Sequence, residues 1–115
     1  MRVPCEVDLL RVFVGEQQQF EGRPVYETIV EAARDRGLMG ATVLRGILGY
    51  GAHCKLHRAK ILMLSEDLPM VVEIVDTSAR IAEFIPVIKE MNHKGLITLE
   101  KITIVAYNCG LEEED

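Results

Sequence analysis

The first long apolar segment of the chain is CEVDLLRVFV, residues 5–14. It alternates polar and apolar residues at its start and then becomes apolar on both faces, through Leu9, Leu10, Val12, Phe13 and Val14. A period of two residues predicts a β-strand, and apolar residues on both faces predict a strand that is covered from both sides. We therefore predict a central strand over residues 5–14.

Glycine and proline divide the next part of the chain into a loop, a helix and two strands. Residues 15–22 are polar and bounded by glycine, which predicts a loop. Pro24 suits the first turn of a helix, where its missing N–H costs no hydrogen bond, and Gly37 suits a left-handed helix end. The second and third strands are predicted over residues 41–48 and 70–75 from their aliphatic and β-branched content.

A second helix and a fourth strand complete the pattern. Side-chain oxygens suited to the helix N-cap come from Asp76, Thr77 and Ser78. A single apolar stripe follows at helical spacing, formed by Ile81, Phe84, Ile85, Ile88 and Met91. Pro86 cannot donate to the carbonyl of Ala82, so we expect a kink or a break there. Residues 97–107 predict the last strand.

The order of these elements predicts the fold class. Strand, helix, strand, strand, helix, strand is the ferredoxin-like βαββαβ arrangement, an α+β fold whose antiparallel sheet carries both helices on one face. The segments Leu9–Val14 and Met70–Val75 are nevertheless apolar on both sides. Because exposed apolar sheet surface is normally an interaction site, we expect the chain to form a homo-oligomer with closed symmetry.

Composition restricts the classes of function. The chain has 115 residues, which is the size of one domain, so a single domain is expected. It has no apolar run near the roughly 20 residues of a membrane-spanning helix, so no such helix is expected. A net charge of −5 and the absence of Trp argue against a nucleic-acid partner. Cys5, Cys54 and Cys109 form no CxxC motif and are expected to be reduced. With charges where a signal peptide needs an apolar segment, the sequence predicts a cytoplasmic location.

Several motifs together resemble one known family. They are Val14-Gly15-Glu16, Gly22-Arg23-Pro24, GATVLRGILGYG over residues 40–51, His57-Arg58, and LPMVVEIVD over residues 68–76. On these motifs the chain resembles DUF family 190 (UPF0166-type), whose members are similar to PII signalling proteins. The resemblance implies a ferredoxin-like fold and a homotrimer that binds an adenine nucleotide (AMP, ADP or ATP) in clefts between subunits.

The resemblance also implies how the chain is organised. Residues 1–109 would form a single PII-like domain, with residues 52–68 as a long recognition loop, followed by an acidic tail over residues 110–115. By similarity to PII proteins, the loop would control a partner protein, for example a membrane transporter. The nucleotide would act as a ligand, and no cofactor would be required.

Three glycines at the end of the second predicted strand are candidates for ligand binding. From the residues alone, glycines here serve either a phosphate-binding concavity of N–H groups or a bulge and a turn. The resemblance favours the first use, because PII proteins carry a glycine–aromatic–glycine turn against which nucleotide sits. The implied ligand contacts are Gly46, Gly49, Tyr50 and Gly51, with Tyr50 either stacking on a base or packing.

Lys94 and Gly95 precede the last strand, where the resemblance places a phosphate-binding loop. The alternative is a helix C-terminus that His93 and Lys94 neutralise and a glycine caps. The fuller glycine–lysine pattern of PII proteins is missing from this segment. Its absence favours a ligand with one or two phosphates.

The long loop carries residues with a second possible chemistry. His53, Cys54 and His57 offer ligands for a soft or borderline metal, at a spacing that matches no standard site. The alternative is a solvated partner-recognition loop in which His57 and Arg58 reach a ligand phosphate. A metal-binding ferredoxin-like trimer is therefore the second hypothesis.

Catalysis is the third hypothesis. The sequence has no nucleophile with a nearby base, no paired carboxylates and no Walker lysine, so we expect no enzyme. A small hydrolase of phosphate esters or acyl phosphates would have to combine Arg11 or Arg45 with Asn92 or Asn108, and no motif supports this. Arg45 is expected to pair with a strand carboxylate such as Glu73.

Overall fold

The computed structural model describes residues 2–51, 67–91 and 95–107, together with the backbone of residues 57–58. In chain order its elements are β1 (Cys5–Gly15), β2 (Gln19–Phe20), β3 (Arg23–Pro24), α1 (Val25–Asp35), β4 (Gly40–Arg45), β5 (Leu48–Gly49), β6 (His57–Arg58), β7 (Pro69–Asp76), α2 (Ser78–Glu90) and β8 (Ile97–Ile104). Neither helix within the described residues has the length and apolar character of a membrane-spanning segment.

The main sheet has four strands in the order β4-β7-β1-β8, and every neighbouring pair is antiparallel. β1 lies in the interior of the sheet, where Val12 is paired with both Val72 and Ile97. Both helices pack on one face. The predicted ferredoxin-like fold is confirmed, and the segment over residues 5–14 is the central strand that its two-sided apolar pattern predicts.

The hydrophobic core lies between the helices and one face of the sheet. Alternate residues of β1 and β7 point into it, which follows from the two-residue period of a strand. Among its fully buried members are Leu10, Val12, Ile29, Ile81 and Phe84. Full burial of such a side chain contributes about 1.5–3 kcal/mol, so this layer is the main source of stability.

The opposite face of the sheet, which we call the open face, carries the other set of alternate residues. Val71 and Val75 are half-buried there, and Leu44 on the edge strand β4 is 50% exposed. In the middle of this face the Arg11 guanidinium lies 2.9 Å from Glu73 and 2.6 Å from Glu100. The open face is therefore apolar around a charged centre that has one more carboxylate than cations.

The expected pairing of Arg45 with Glu73 is wrong. Glu73 stands opposite Thr42 on β4 and opposite Arg11 on β1, so these three share the open face. Arg45 is three residues beyond Thr42, and successive strand residues alternate between faces. It therefore points away from Glu73, and its guanidinium lies 3.2 Å from Glu16.

Three other boundaries differ from the sequence-based expectations. The second strand ends at Arg45, and the last strand ends at Ile104. Of the kink or break expected at Pro86, the break is wrong, since α2 runs through it to Glu90. Proline removes one hydrogen bond there, and the buried residues on both sides, Ile81 and Ile88, hold the helix against the sheet.

The segment predicted as a loop over residues 15–22 contains a short hairpin. β2 and β3 are joined through Glu21 and Gly22, whose φ angles are 53° and 80°. Two central residues with positive φ define the type I′ turn that joins two antiparallel strands most readily. Gly37 at the end of α1 has φ 74°, which confirms the predicted left-handed helix end.

Candidate functional site

The connections that carry the predicted ligand residues leave the sheet at one end. At this end, which we call the loop end, β1 and β4 finish and β7 and β8 begin. Backbone hydrogen bonds close it: Gly46 N lies 2.7 Å from Pro69 O, Glu16 N lies 2.8 Å from Leu68 O, and Phe13 N lies 2.9 Å from Leu96 O.

Two of the three predicted glycines have a structural reason to be glycine. A Cβ on Gly46 would lie 2.9 Å from Pro69 Cγ, and one on Gly49 would lie 3.1 Å from the same atom. The N–H of Gly46 is moreover used by Pro69 O, so it does not face a ligand. Among the described residues, no atom lies within 4 Å of the Cβ position of Gly51, so none of them blocks a ligand there.

The glycine turn lies beside the backbone of residues 57–58. β5 and β6 pair in an antiparallel ribbon, with Leu48 opposite Arg58 and Gly49 opposite His57. Such partners lie about 4.5–5.5 Å apart between Cα atoms, so two of the motifs predicted from sequence meet here. Tyr50, next along the chain, is 67% exposed and therefore open to contact by a planar ligand.

The second predicted phosphate element lies at the far edge of the sheet. Gly95 and Leu96 lead into β8, and β8 and β4 are the two edge strands. With neighbouring strands about 4.8 Å apart, three spacings put these edges about 14 Å apart. Within one chain, the turn at Gly46–Gly51 and the connection at Gly95 thus share the loop end without adjoining each other.

Three charged residues at the loop end, Glu16, Arg45 and Asp67, were not among the predicted ligand contacts. Arg45 is paired with Glu16, and Asp67 Oδ1 accepts a hydrogen bond of 2.7 Å from the N–H of Gln17. A Cβ on Gly15 would lie 3.0 Å from the same Asp67 oxygen. The available signal was Glu16 in the Val14-Gly15-Glu16 motif, but the approach of Asp67 depends on a contact between distant parts of the chain.

A polar cluster at the opposite end of the sheet has the residues of a serine–lysine pair. Ser78 Oγ donates to Asp8 Oδ1 at 2.9 Å, and Lys101 Nζ lies 2.9 Å from that oxygen and 2.6 Å from Ser78 Oγ. The hydrogen bond to Asp8 raises the pKa of Lys101, and the same bond lowers the pKa of Asp8. A lysine held in its protonated form is no general base, so this geometry does not support a serine–lysine nucleophile.

Several predicted residues lie outside the described residues or are described only in part. His53, Cys54, Asn92, Lys94, Asn108 and Cys109 lie outside, as do most of the 52–68 segment and the 110–115 tail, and for His57 and Arg58 only the backbone is described. Within the described part, no group of three His, Cys, Asp or Glu side chains is placed to hold a metal ion. Cys5 is a free thiol there.

The fold and the loop end define a class of protein: a ferredoxin-like domain with a glycine turn and a long connection at one end of the sheet. The family model of DUF190, described as "Uncharacterized ACR", matches residues 7–104. The chain belongs to this family. It is also 45% identical over 97 residues to a UPF0166 protein of Aquifex aeolicus (strain VF5), covering 84% of this chain and 91% of that protein.

Two similar solved structures are of CPII from Thiomonas intermedia K12, a nitrogen regulatory PII-like protein. One is bound to ADP and bicarbonate, with a TM-score of 0.67 at 12% identity, covering 89% of this chain and 91% of that one. The other is bound to ADP, AMP and bicarbonate, with a TM-score of 0.61 at 16% identity and the same coverage. At this identity the likeness shows that the two proteins share the PII-like fold.

Proposed function

We propose that this protein is a PII-like regulatory protein. It binds an adenine nucleotide, AMP, ADP or ATP, in clefts between subunits and controls a partner protein through its long loop. The proposal is supported by the family, by the PII-like fold and by the nucleotides bound to CPII. The observation that carries it is the gathering of the glycine turn, residues 57–58 and Gly95 at a single end of the sheet.

The separation of the two edges favours a site between subunits. The strand edges that lead into the turn at Gly46–Gly51 and out of the connection at Gly95 lie about 14 Å apart in one chain, so the proposal does not require both elements to hold one phosphate group within a single subunit. If edge β4 of one copy lies beside edge β8 of the next, the two elements face each other across the interface. Closed repetition of that contact gives the proposed homotrimer, and the open face supplies apolar surface for it.

Each site residue has a role in this arrangement. No described residue comes within 4 Å of the Cβ position of Gly51, so phosphate oxygens can approach it from that part of the structure, and the exposed Tyr50 ring is available to the base. Lys94 with Gly95 from the neighbouring copy, and His57 with Arg58, complete the proposed phosphate contacts. Gly46 and Gly49 contribute by shaping the turn against Pro69.

The regulatory step is a shift in population. Nucleotide changes the 52–68 segment only if it binds one arrangement of that segment more tightly than another. We propose that residues 1–109 form this sensing domain, that residues 110–115 are a tail, and that the protein acts in the cytoplasm without catalysing a reaction. The regulated partner, for which a membrane transporter is one choice, stays a prediction.

Calorimetric titration with AMP, ADP, ATP and cyclic AMP, with the oligomeric mass measured on the same samples, tests the proposal. We expect saturable binding of at least one of the first three nucleotides, near one per subunit, by a trimer. Lys94→Ala and Gly51→Val should weaken it, whereas Lys89→Ala, which removes an exposed lysine from the last turn of α2, should not. A correctly assembled trimer that binds none of them would refute the proposal.

The same samples distinguish the two alternatives. Binding of zinc or copper that is lost in a His53→Ala, Cys54→Ala, His57→Ala variant would favour the metal-binding trimer. Release of phosphate from ATP or an acyl phosphate, above that of Gly51→Val, would favour the hydrolase. Neither is expected under the regulatory proposal.

A further inference from the structure

Arg45 and Glu16 form an ion pair at the base of the long loop. Arg45 is the last residue of β4, its side chain is 56% exposed, and its Nη2 lies 3.2 Å from Glu16 Oε1. In residues 15–18, 45–51 and 67–69, the described connections at the loop end, Arg45 carries the positive charge and Glu16 and Asp67 carry the negative charges. An anionic ligand that binds at this end therefore encounters Arg45 already paired with Glu16.

The ion pair between Arg45 and Glu16 is weak enough for a phosphate to replace the carboxylate. Exposed ion pairs contribute little to stability because water and salt screen them. An arginine matches a phosphate better than it matches one carboxylate oxygen, since two of its N–H groups bind two phosphate oxygens at once. The backbone of the next residue is fixed by the bond from Gly46 N to Pro69 O, so the Arg45 side chain moves on a rigid support.

Glu16 is connected to the other end of the long segment. Its N–H donates to Leu68 O, and the N–H of the following residue, Gln17, donates to Asp67. Residues 67–68 are where the chain returns to the sheet at β7. A change in the position of Glu16 thus acts directly on the point where the long segment ends.

We infer that Arg45 is a phosphate-binding residue of the proposed nucleotide site and that Glu16 holds it while the site is empty. The nucleotide phosphate takes the place of the Glu16 carboxylate on Arg45. The released Glu16 then passes the change to residues 67–68 through its own backbone. This inference rests on the proposed function and names the residue that couples ligand to loop.

Two variants that break the same ion pair test the inference, because they should have opposite effects. Glu16→Gln frees Arg45 and should tighten ADP binding by about two- to fivefold, because ADP then no longer has to break an exposed ion pair of that free energy. Arg45→Gln removes the phosphate contact and should weaken ADP binding about tenfold. Neither should change the affinity for adenosine, which has no phosphate.

The double variant and a distant control separate this mechanism from a general charge effect. In the Arg45→Gln background, Glu16→Gln should no longer tighten binding. Glu83→Gln, the same change of charge at an exposed position of α2, should leave ADP affinity unchanged. Oligomeric mass and circular dichroism confirm that each variant is folded.

Three outcomes would overturn the inference. Weaker ADP binding in both single variants would show that the pair only braces the loop base. Tighter binding by Glu16→Gln in the double variant as well would show a general field effect. A wild-type protein that binds no nucleotide would remove the proposed function and the inference together, whereas normal wild-type binding with either of the first two results would remove the inference alone.

Discussion

Replacing Gly46 with alanine should destabilise the fold through its contact with Pro69. The new Cβ would lie 2.9 Å from Pro69 Cγ and 3.1 Å from Pro69 O, both closer than ordinary contact. Residue 46 cannot retreat freely, because its N–H is bound to that same oxygen at 2.7 Å. Overpacking typically costs 1–3 kcal/mol, and with two close atoms we expect about 2 kcal/mol.

Two other glycines provide a graded comparison. At Gly49 the new Cβ would meet the Pro69 ring at 3.1 Å and no backbone atom of the described residues within 4 Å, so we expect a cost of about 1 kcal/mol. At Gly51 it would meet none of the described residues within 4 Å, and removing a glycine from the unfolded chain stabilises by about 0.4–1 kcal/mol. From the most to the least stable, the expected order is Gly51→Ala, wild type, Gly49→Ala and Gly46→Ala.

Urea unfolding followed by circular dichroism measures these differences. All proteins must be compared at one subunit concentration, because association contributes to apparent stability. A Pro69→Ala background removes the Cγ atom and keeps the carbonyl, so it should relieve the cost of Gly49→Ala and only part of that of Gly46→Ala. Equal stability of Gly46→Ala and Gly51→Ala would refute the reasoning, as would a cost at Gly49 that persists without the proline ring.

Three further changes test other parts of the molecule. Gly37→Ala should lower the free energy of unfolding by about 1–2 kcal/mol, measured in urea, because residue 37 has φ 74° and a Cβ is strained there. Asp8→Asn should flatten the acid limb of a plot of unfolding free energy against pH. Because the pKa of Asp8 is lowered in the folded state, the ionised carboxylate stabilises the fold above about pH 4, and this stabilisation is lost as the pH falls through the folded-state pKa. Only the wild type should show that loss. Leu44→Asp, on the open face, should dissociate the oligomer in analytical ultracentrifugation, whereas Ala82→Asp, at an exposed position of α2 on the other side of the sheet, should not; an unchanged mass for Leu44→Asp would show that the open face is not an interface.

The order of the elements was predictable because it depends on local periodicity. The apolar and β-branched content of residues 5–14 and 70–75 and the stripe from Ile81 to Met91 each reflect burial, which the sheet and the helices provide. The pairing of Arg45 was not predictable, because it depends on the register between β4 and β7. A shift of one residue in that register exchanges the faces of every side chain.

The candidate site was predictable as a set of motifs and not as a geometry. The glycine positions are visible in the sequence, but the reason for Gly46 and Gly49 is the ring of Pro69, more than 19 residues away. The hairpin through Glu21 was missed because a glutamate seldom adopts positive φ, and only the following Gly22 hinted at a turn. Contacts between distant segments decide such details.

The bond between Gly46 and Pro69 has a consequence for how this family can diversify. It joins the residues on either side of the segment over residues 47–68, and the bonds of Glu16 and Gln17 to Leu68 and Asp67 hold the end of that segment at the same place, so the ends of the segment stay close together. Doubling the length of a closed loop costs only about 0.6 kcal/mol, which is small against the core beneath it. Insertions, deletions and grafted peptides between these two residues are therefore compatible with the same scaffold, and a new binding specificity can arise there without redesign of the sheet.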